Sequence, residues 1–197
     1  MTETEGLRPI KIILVGPSGV GKTTLINTFF EQPYEKNTQT TVAPAFCETT
    51  IEISEDCNVT LHIWDTAGQE KYQSVVGMFY RDSDIAFVCF DEENLNAENI
   101  SIWVNRVLSQ VPECLIFIVL TKEDTLTTEQ VSKICADSKA YIKKYKAEGF
   151  YVTSASTGNG VKELFLAAGK CAHKICGKQI PTSVEIENNN QDKGCNC

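Results

Sequence analysis

A glycine-rich segment at residues 16–24, which reads Gly-Pro-Ser-Gly-Val-Gly-Lys-Thr-Thr, sets the strongest limit on how this chain folds. An apolar run typical of a buried strand precedes it at residues 10–15, and a helical pattern follows it at residues 24–30. A turn of this kind between a strand and a helix wraps phosphate groups, because glycines let successive backbone N–H groups point inward. The segment therefore predicts a nucleoside triphosphate site in which Lys22 reaches the β and γ phosphates and Thr23 binds Mg²⁺.

Composition places the chain among ordinary globular proteins. Of its 197 residues, 42% are hydrophobic and 22% are charged, which suits one domain with an adequate core and a tail. We predict a disordered lead-in at residues 1–9, the domain at residues 10–176 and a flexible tail at residues 177–197. The formal charge of −8 argues against a nucleic-acid partner, since such partners need basic surfaces. No apolar run approaches the roughly 20 residues that span a bilayer, and the acidic first residues do not resemble a secretory signal.

Nine cysteines are present, an odd number without a regular spacing. A zinc site would need two closely spaced pairs, and neither the pair Cys171/Cys176 nor the pair Cys195/Cys197 has a matching second pair. The sequence therefore disfavours a metal–thiolate site and favours the reducing cytosol. The cysteines interpreted as small buried apolar residues are Cys47, Cys57, Cys89, Cys114, Cys135, Cys171 and Cys176.

Strands rich in Val, Ile and Phe alternate with helices along the chain. This order predicts an α/β fold with three α/β/α layers, in which helices cover both faces of a six-stranded, mostly parallel sheet. One hairpin adds an antiparallel edge strand. The predicted strands are residues 10–15, 46–53, 59–64, 85–90, 115–120 and 149–153, and the predicted helices are residues 24–30, 96–110, 128–146 and 160–175.

Chemically distinctive stretches follow four of the predicted strands and begin at Gly16, Asp65, Thr121 and Ser154. Ligands of parallel α/β sheets bind beyond the carboxyl ends of the strands. The four stretches are therefore expected to meet in one crevice. A loop at residues 31–41 is long enough to suggest a functional role beyond connecting two elements.

Four motifs occur in the chain in this order: the glycine-rich segment, residues 64–70 with the sequence Trp-Asp-Thr-Ala-Gly-Gln-Glu, the Lys122-x-Asp124 element and Ser154-Ala155. With these motifs the chain resembles the Ras superfamily of small GTPases over about residues 8–177. It looks most like the Rab family within it, on the sequences Thr41-Val42-Ala43-x-x-Phe46, Leu61-x-Ile63-Trp64, Lys71-Tyr72-x-Ser74, Phe79-Tyr80-Arg81 and Cys195-Asn196-Cys197. The resemblance implies the P-loop NTPase fold of small G proteins, GTP hydrolysis, and GTP, GDP and Mg²⁺ as ligands.

The resemblance also assigns roles around the phosphates. Gln69 would orient the attacking water, Lys22 and Thr41 would assist at the γ-phosphate, and the N–H of Gly68 would sense its loss. The implied Mg²⁺ ligands are Thr23, Thr41 and Asp65. The implied nucleotide-binding residues are Ser18, Gly19, Val20, Gly21, Lys22, Thr23, Thr24, Tyr34, Thr41, Gly68, Thr121, Lys122, Asp124, Ser154, Ala155 and Ser156.

Taken singly, several of these residues admit simpler interpretations. Asp65 could cap a following helix, and Thr41 could merely favour a strand. Gln69 could be an ordinary polar loop residue, and Tyr34 could be a surface aromatic.

Asp124 selects the base in this interpretation. A carboxylate accepts both the N1–H and the N2–H₂ of guanine, and adenine offers no such pair of donors. By resemblance, Lys122 would lay its aliphatic stem along the ring, and the N–H of Ala155 would meet the guanine O6. Tyr34 would pack edge-on near the base.

The chain departs from the family pattern in three places. Thr121 stands where the family usually has Asn. The family's side-chain amide, which ties the segment that binds the base to the glycine-rich segment, is therefore absent. We expect weaker nucleotide affinity as a result. Ser156 replaces the usual Lys of a Ser-Ala-Lys motif. The sequence Ala-Pro-Ala at residues 43–45 departs from the usual Rab effector sequence, which bears on the set of effectors.

The tail carries a membrane signal by resemblance. Cys195 and Cys197 match the Rab signal for two geranylgeranyl groups, although two idle thiols are the simpler interpretation. Two lysines against three acidic residues give the tail a net charge of 2 − 3 = −1, so no basic patch helps to hold anionic lipid. Two lipid chains are what stable anchoring then requires.

These features together predict a slow GTP-hydrolysing switch on the cytoplasmic face of an intracellular membrane, cycling with the cytosol. Its implied partners are an exchange factor, a GTPase-activating protein, effectors, a prenylation escort and a GDP-dissociation inhibitor, and the chain would be a monomer. No Arg lies between Gln32 and Phe46, so an arginine finger in cis is not expected there. Two alternatives are a nucleotide-dependent or nucleotide-free scaffold with negligible hydrolysis, and an ATPase or kinase of the phosphate-loop class.

Overall fold

A six-stranded sheet forms the centre of the molecule. The computed structural model describes residues 8–35, 45–55, 57–65 and 79–176. Its strands run in the order β2-β3-β1-β4-β5-β6 across the sheet, and only β2 and β3 pair antiparallel. The predicted mixed sheet with one antiparallel edge strand is thereby confirmed. The strands are β1 (Ile10–Val15), β2 (Ala45–Ser54), β3 (Cys57–Asp65), β4 (Ile85–Phe90), β5 (Leu115–Leu120) and β6 (Gly149–Val152).

Helices cover both faces of the sheet. Alternate residues of β1 point to opposite sides, so Ile12 and Leu14 enter one apolar cluster with the first and fourth helices. Ile13 and Val15 enter a second cluster with the second and third helices. The predicted three-layer arrangement is therefore present. The helices in the described parts of the chain are α1 (Lys22–Phe29), α2 (Ala97–Leu108), α3 (Thr128–Tyr145), α4 (Val161–Lys170) and α5 (Ala172–Cys176).

Helix ends differ from the predictions at particular residues. The helix predicted at residues 160–175 is interrupted at Cys171, whose N–H donates to the oxygen of Ala168 and tightens the last turn of α4. Beyond that turn Lys174 donates to the carboxylate of Glu148 at 2.5 Å, which holds α5 beside the start of β6. The first helix begins earlier than predicted, at Lys22, so this lysine belongs to the first helical turn.

The turn before α4 requires glycine. Gly160 has a φ of 68°, and a Cβ atom there would lie 2.1 Å from the backbone oxygen of Val152. We expect Gly160→Ala to lower the free energy of unfolding by about 2–4 kcal/mol, because both the backbone conformation and the contact are unfavourable. Equilibrium unfolding in urea measures this change.

The matched control is Gly158→Ala in the same loop. Gly158 also has a positive φ, of 81°, but a Cβ atom there would meet nothing within 4 Å. Its loss of stability should therefore be only about 1 kcal/mol, from the backbone alone. Equal losses at the two positions would contradict the steric explanation.

Candidate functional site

The carboxyl ends of the parallel strands bring several loops to one edge of the sheet. The loop after β1 carries the glycine-rich segment, the loop after β5 carries residues 121–124, and the loop after β6 carries residues 153–156. Hydrogen bonds described below join these loops to one another, to the end of β3 and to α1. The structure therefore brings Gly16, Asp65, Thr121 and Ser154, the first residues of the four predicted stretches, to one edge of the sheet.

The glycine-rich loop curls tightly against β4. Gly16 has a φ of 137°, and a Cβ atom there would lie 2.1 Å from the backbone oxygen of Cys89, so no other residue fits. Lys22 is only 4% exposed, and its ammonium donates to the backbone oxygens of Gly16 at 2.9 Å and Pro17 at 2.7 Å. The cationic group is thus held inside the curve of its own loop. Of the other predicted residues, Ser18, Gly19, Val20 and Gly21 complete the loop, and Thr24 follows in α1.

The phosphate-loop threonine meets the end of β3. The hydroxyl of Thr23 donates to a carboxylate oxygen of Asp65 at 2.5 Å, and Asp65 is 1% exposed. An oxygen from helix α1 and an oxygen from the end of β3 therefore lie side by side next to the glycine-rich loop. Oxygen donors of this kind suit a hard divalent cation such as Mg²⁺.

Thr121 joins the loop after β5 to the glycine-rich loop. Its hydroxyl lies 2.5 Å from the backbone oxygen of Val20 and 3.0 Å from that of Phe90, and the side chain is buried. The side-chain amide usual in the family is absent here, and the hydroxyl of Thr121 makes the link between the two loops in its place. A threonine hydroxyl is short, but β5 brings it within reach of Val20, so it supplies the donor.

Asp124 is held by two serine hydroxyls from the loop after β6. The hydroxyl of Ser154 donates to Asp124 at 2.5 Å, and the hydroxyls of Ser154 and Ser156 lie 3.0 Å apart. Burial acts to raise the pKa of Asp124, but hydrogen bonds from Ser154 and Ser156 outweigh it and keep the pKa below its ordinary value. Asp124 is therefore a carboxylate at neutral pH, and Ser156 contributes to holding it.

Helix α1 contacts the loop after β6 and also lines a cavity of its own. The hydroxyl of Thr28 in α1 donates to the backbone oxygen of Ala155 at 3.0 Å, which ties the loop after β6 to α1. Tyr34 is 47% exposed. It lies at a cavity of about 230 Å³ with the α1 residues Thr24, Asn27 and Thr28 and the following residues Gln32, Pro33 and Glu35.

Sequence reasoning missed Asp91. Asp91 directly follows β4 and is 8% exposed, and its carboxylate accepts a hydrogen bond from the ammonium of Lys122 at 2.8 Å. Its position after a parallel strand was the available signal, because β4 ends at the same edge as β1 and β5. The predicted residues Thr41, Gly68, Gln69, Cys195 and Cys197 lie outside the described residues, as do Ala43 and Pro44.

An aromatic surface lies on the antiparallel edge of the sheet, away from the loops after β5 and β6. Phe46 is 48% exposed, and its ring centroid lies 5.0 Å from that of Trp64, which in turn lies 6.1 Å from Phe79. On the same strands His62 lies 2.9 Å from Glu48. These are the aromatic positions of the Rab-like sequences identified above.

The fold and the joined loops define a nucleotide-binding protein of the phosphate-loop class, with an α/β sheet and its site at the strand ends. The family model described as "Ras family" matches residues 11–174, and the chain belongs to this family of small GTPases. As a small GTPase it is a GTP hydrolase that binds GTP and GDP.

Named relatives point to the Rab branch of the family. The chain is 34% identical to "GTP-binding protein ypt5" of Schizosaccharomyces pombe, over 81% of this chain and 76% of that protein. It is 31% identical to "Ras-related protein RABG3f" of Arabidopsis thaliana and 30% identical to "Ras-related protein Rab7" of Pisum sativum, in both cases over 95% of this chain and 96% of the relative. The chain is therefore a Rab-like small GTPase. Within the described residues, no helix has the length and apolar character to cross a membrane.

Proposed function

We propose that this chain is a membrane-anchored switch that recruits effectors in vesicular traffic while it holds GTP and releases them after slow hydrolysis. The observation that carries the proposal is the meeting of the glycine-rich loop, Asp65 and Asp124 at one edge of the sheet, joined by hydrogen bonds. One side of this crevice offers a cation and backbone donors, and the other offers a carboxylate. That combination suits the phosphates and the base of one guanine nucleotide.

At the phosphate end, the chain's own residues are prepared for an anionic ligand. Lys22 donates to two backbone oxygens of the loop, and phosphate oxygens would replace them as acceptors when the nucleotide binds. The hydroxyl of Thr23 and the carboxylate of Asp65 would hold Mg²⁺, and the role of Thr41 follows from the resemblance. Bound there, Mg²⁺ would neutralise charge on the β and γ phosphates.

At the base end, Asp124 would accept the two guanine donors. Its carboxylate is ionised, and Ser154 occupies one of its oxygens from the side of β6. Lys122 would flank the ring and the N–H of Ala155 would meet O6. The link from Thr28 to the oxygen of Ala155 supports the position of that residue. An adenine base would not offer the carboxylate this pair of donors.

Hydrolysis and switching depend on the segments that carry Thr41, Gly68 and Gln69. The family resemblance supports these roles: Thr41 and Gly68 would respond to the γ-phosphate, and Gln69 would orient water. Without an arginine in cis at residues 33–45, unaided turnover would be on the order of 10⁻⁴–10⁻² s⁻¹. An activating protein would supply the missing positive charge.

Anchoring and partners complete the proposal. The folded domain would comprise residues 10–176, and residues 177–197 would tether it to a pair of geranylgeranyl groups on Cys195 and Cys197. A prenylation escort, a GDP-dissociation inhibitor, an exchange factor and an activator would act on a monomer that cycles between cytosol and the cytoplasmic face of an intracellular membrane. Effectors would read the aromatic surface of Phe46, Trp64 and Phe79 together with the nucleotide-sensitive segments.

The nucleotide content of freshly purified protein tests the proposal. Chromatography of the small molecules released on denaturation should show GDP or GTP in about one equivalent per chain. Unlabelled GTP should displace a labelled guanine nucleotide from the protein, and ATP at the same concentration should not. Displacement by ATP would instead support an ATPase, and protein that neither carries nor takes up guanine nucleotide would overturn the proposal.

Gln69→Leu should trap the triphosphate form. Leucine cannot orient water by hydrogen bonds, and loss of a catalytic positioning contact costs about 10²-fold in rate or more. Single-turnover hydrolysis of bound GTP, with the dissociation rate of GDP as control, measures the effect. A hydrolysis rate equal to that of the unmodified chain would exclude the role assigned to Gln69.

A further inference from the structure

Asp91 occupies the carboxyl end of β4, between the glycine-rich loop and the loop after β5. One carboxylate oxygen accepts from Lys122 at 2.8 Å. The other accepts from the backbone N–H of Asn94 at 3.2 Å and from its side-chain amide at 2.6 Å. Burial acts to raise the pKa of Asp91, but the hydrogen bonds from Lys122 and Asn94 outweigh it and lower the pKa. Asp91 is therefore a fixed, buried anion beside the site.

Lys122 is held at both ends. Its backbone adopts a φ of 57°, between Thr121, which donates to Val20, and Glu123, whose N–H donates to the oxygen of Thr153. Its ammonium is fixed by Asp91, while the side chain remains 43% exposed. An exposed lysine is usually free to sample many rotamers, and ordering it costs conformational entropy. Here the stem runs between a backbone and an ammonium that are both held by hydrogen bonds.

We propose that Asp91 is a positioning residue for guanine binding, which acts by holding the ammonium of Lys122 so that the stem forms a ready platform for the ring. This inference rests on the proposed function, since it presumes a guanine base at Asp124. An apolar stem that is ordered before the ligand arrives loses less entropy when the base packs against it. Asp91 would thus slow nucleotide release without touching the nucleotide.

Asp91 also caps the short turn Glu92–Asn94, and a purely structural role is the competing explanation. Asp91→Asn separates the two roles, because the amide oxygen can still accept from Asn94 while the charge facing Lys122 is lost. Loss of the ion pair should leave the turn intact and free the lysine side chain.

The experiment measures the dissociation of a fluorescent methylanthraniloyl-GDP from the full chain. We expect Asp91→Asn to release it about twofold to fivefold faster, the range for losing one partly exposed ion pair. Binding of inorganic tripolyphosphate, which has no base, should not change. Equal weakening of tripolyphosphate binding would assign Asp91 a structural role and overturn the inference.

A double variant tests whether Asp91 acts through Lys122. Lys122→Met keeps the stem and removes the ammonium, so in the Asp91→Asn background it should add little to the dissociation rate. Additive effects of the two changes would overturn the inference. The double variant also leaves no buried charge unpaired in this pair, so it remains measurable if a single variant folds poorly.

The control is Glu92→Gln, at the neighbouring position. Glu92 is exposed and accepts from Gln130 at 2.8 Å, outside the crevice, so its replacement should leave methylanthraniloyl-GDP dissociation unchanged. An unmodified chain that binds no guanine nucleotide would refute the proposed function as well. Normal binding with an unaltered Asp91→Asn rate would refute this inference alone.

Discussion

Asp124→Asn is expected to lower the affinity for GDP by about 10²–10⁴-fold. Two hydrogen bonds to a charged acceptor are at stake, each contributing about 1.5–3 kcal/mol, and every 1.4 kcal/mol is tenfold in affinity. An asparagine offers one oxygen and places an amide donor against the N–H groups of guanine. Equilibrium titration with GDP in the presence of Mg²⁺ measures the change.

The pH dependence of GDP affinity follows from the lowered pKa of Asp124. The affinity of the unmodified chain should stay constant as the pH falls from 8 to about 5, because the carboxylate of Asp124 becomes protonated only below the ordinary pKa of an aspartate.

Glu123→Gln is the matched control for Asp124→Asn. Glu123 is the adjacent carboxylate, and it accepts from the amide of Asn159 at 3.2 Å at the surface. Its side chain points to a different partner, so GDP affinity should remain within about twofold. A comparable loss in the two variants would show that the effect is not specific to the carboxylate of Asp124, and it would contradict the role assigned to that residue.

Lys22→Met is expected to reduce affinity for GDP and GTP by about 10²-fold or more. The methionine keeps the apolar stem but removes the cation, which is 4% exposed and lies inside the phosphate loop where water screens it poorly. The loss should be larger for GTP, because the predicted contacts of Lys22 reach the γ-phosphate. Competition titrations of both nucleotides against a labelled guanine nucleotide measure the two affinities.

Lys162→Met controls for the loss of one positive charge. Lys162 is exposed on α4 and belongs to none of the glycine-rich loop, the loop after β5 and the loop after β6. Its replacement should therefore change nucleotide affinity by no more than about twofold. A loss at Lys22 that is no larger than the loss at Lys162 would contradict the phosphate role of Lys22.

The sheet and the position of the crevice could be predicted from the sequence because both follow from local patterns. Apolar runs such as residues 85–90 and 115–120 mark buried strands, and parallel strands place their carboxyl ends together. The end of the last helix could not be predicted in this way. The regular helix ends at Cys171, whose N–H donates to the oxygen of Ala168, and the nearby contact of Lys174 with Glu148 joins residues that are distant in the sequence.

The side-chain contacts within the site could be predicted less well than the position of the site. The link between Asp91 and Lys122 joins residues 31 positions apart, and it follows only from the adjacent register of Phe90 and Leu120. Thr121 illustrates the same difficulty. Its residue type shows that the usual amide is missing, but only the path of the backbone shows that its hydroxyl lies beside Val20. Side-chain reach across strands is a tertiary property that one residue type does not determine.

The hydroxyl of Thr121 has a consequence for nucleotide exchange. It links the loop after β5, which would bind the base, to Val20 in the glycine-rich loop, which would bind the phosphates. Any protein that displaces the glycine-rich loop must therefore move the loop after β5 with it or break this hydrogen bond, and guanine binding would weaken in the same movement. Dissociation of the nucleotide would then be concerted, with the contacts to the phosphates and to the base lost together.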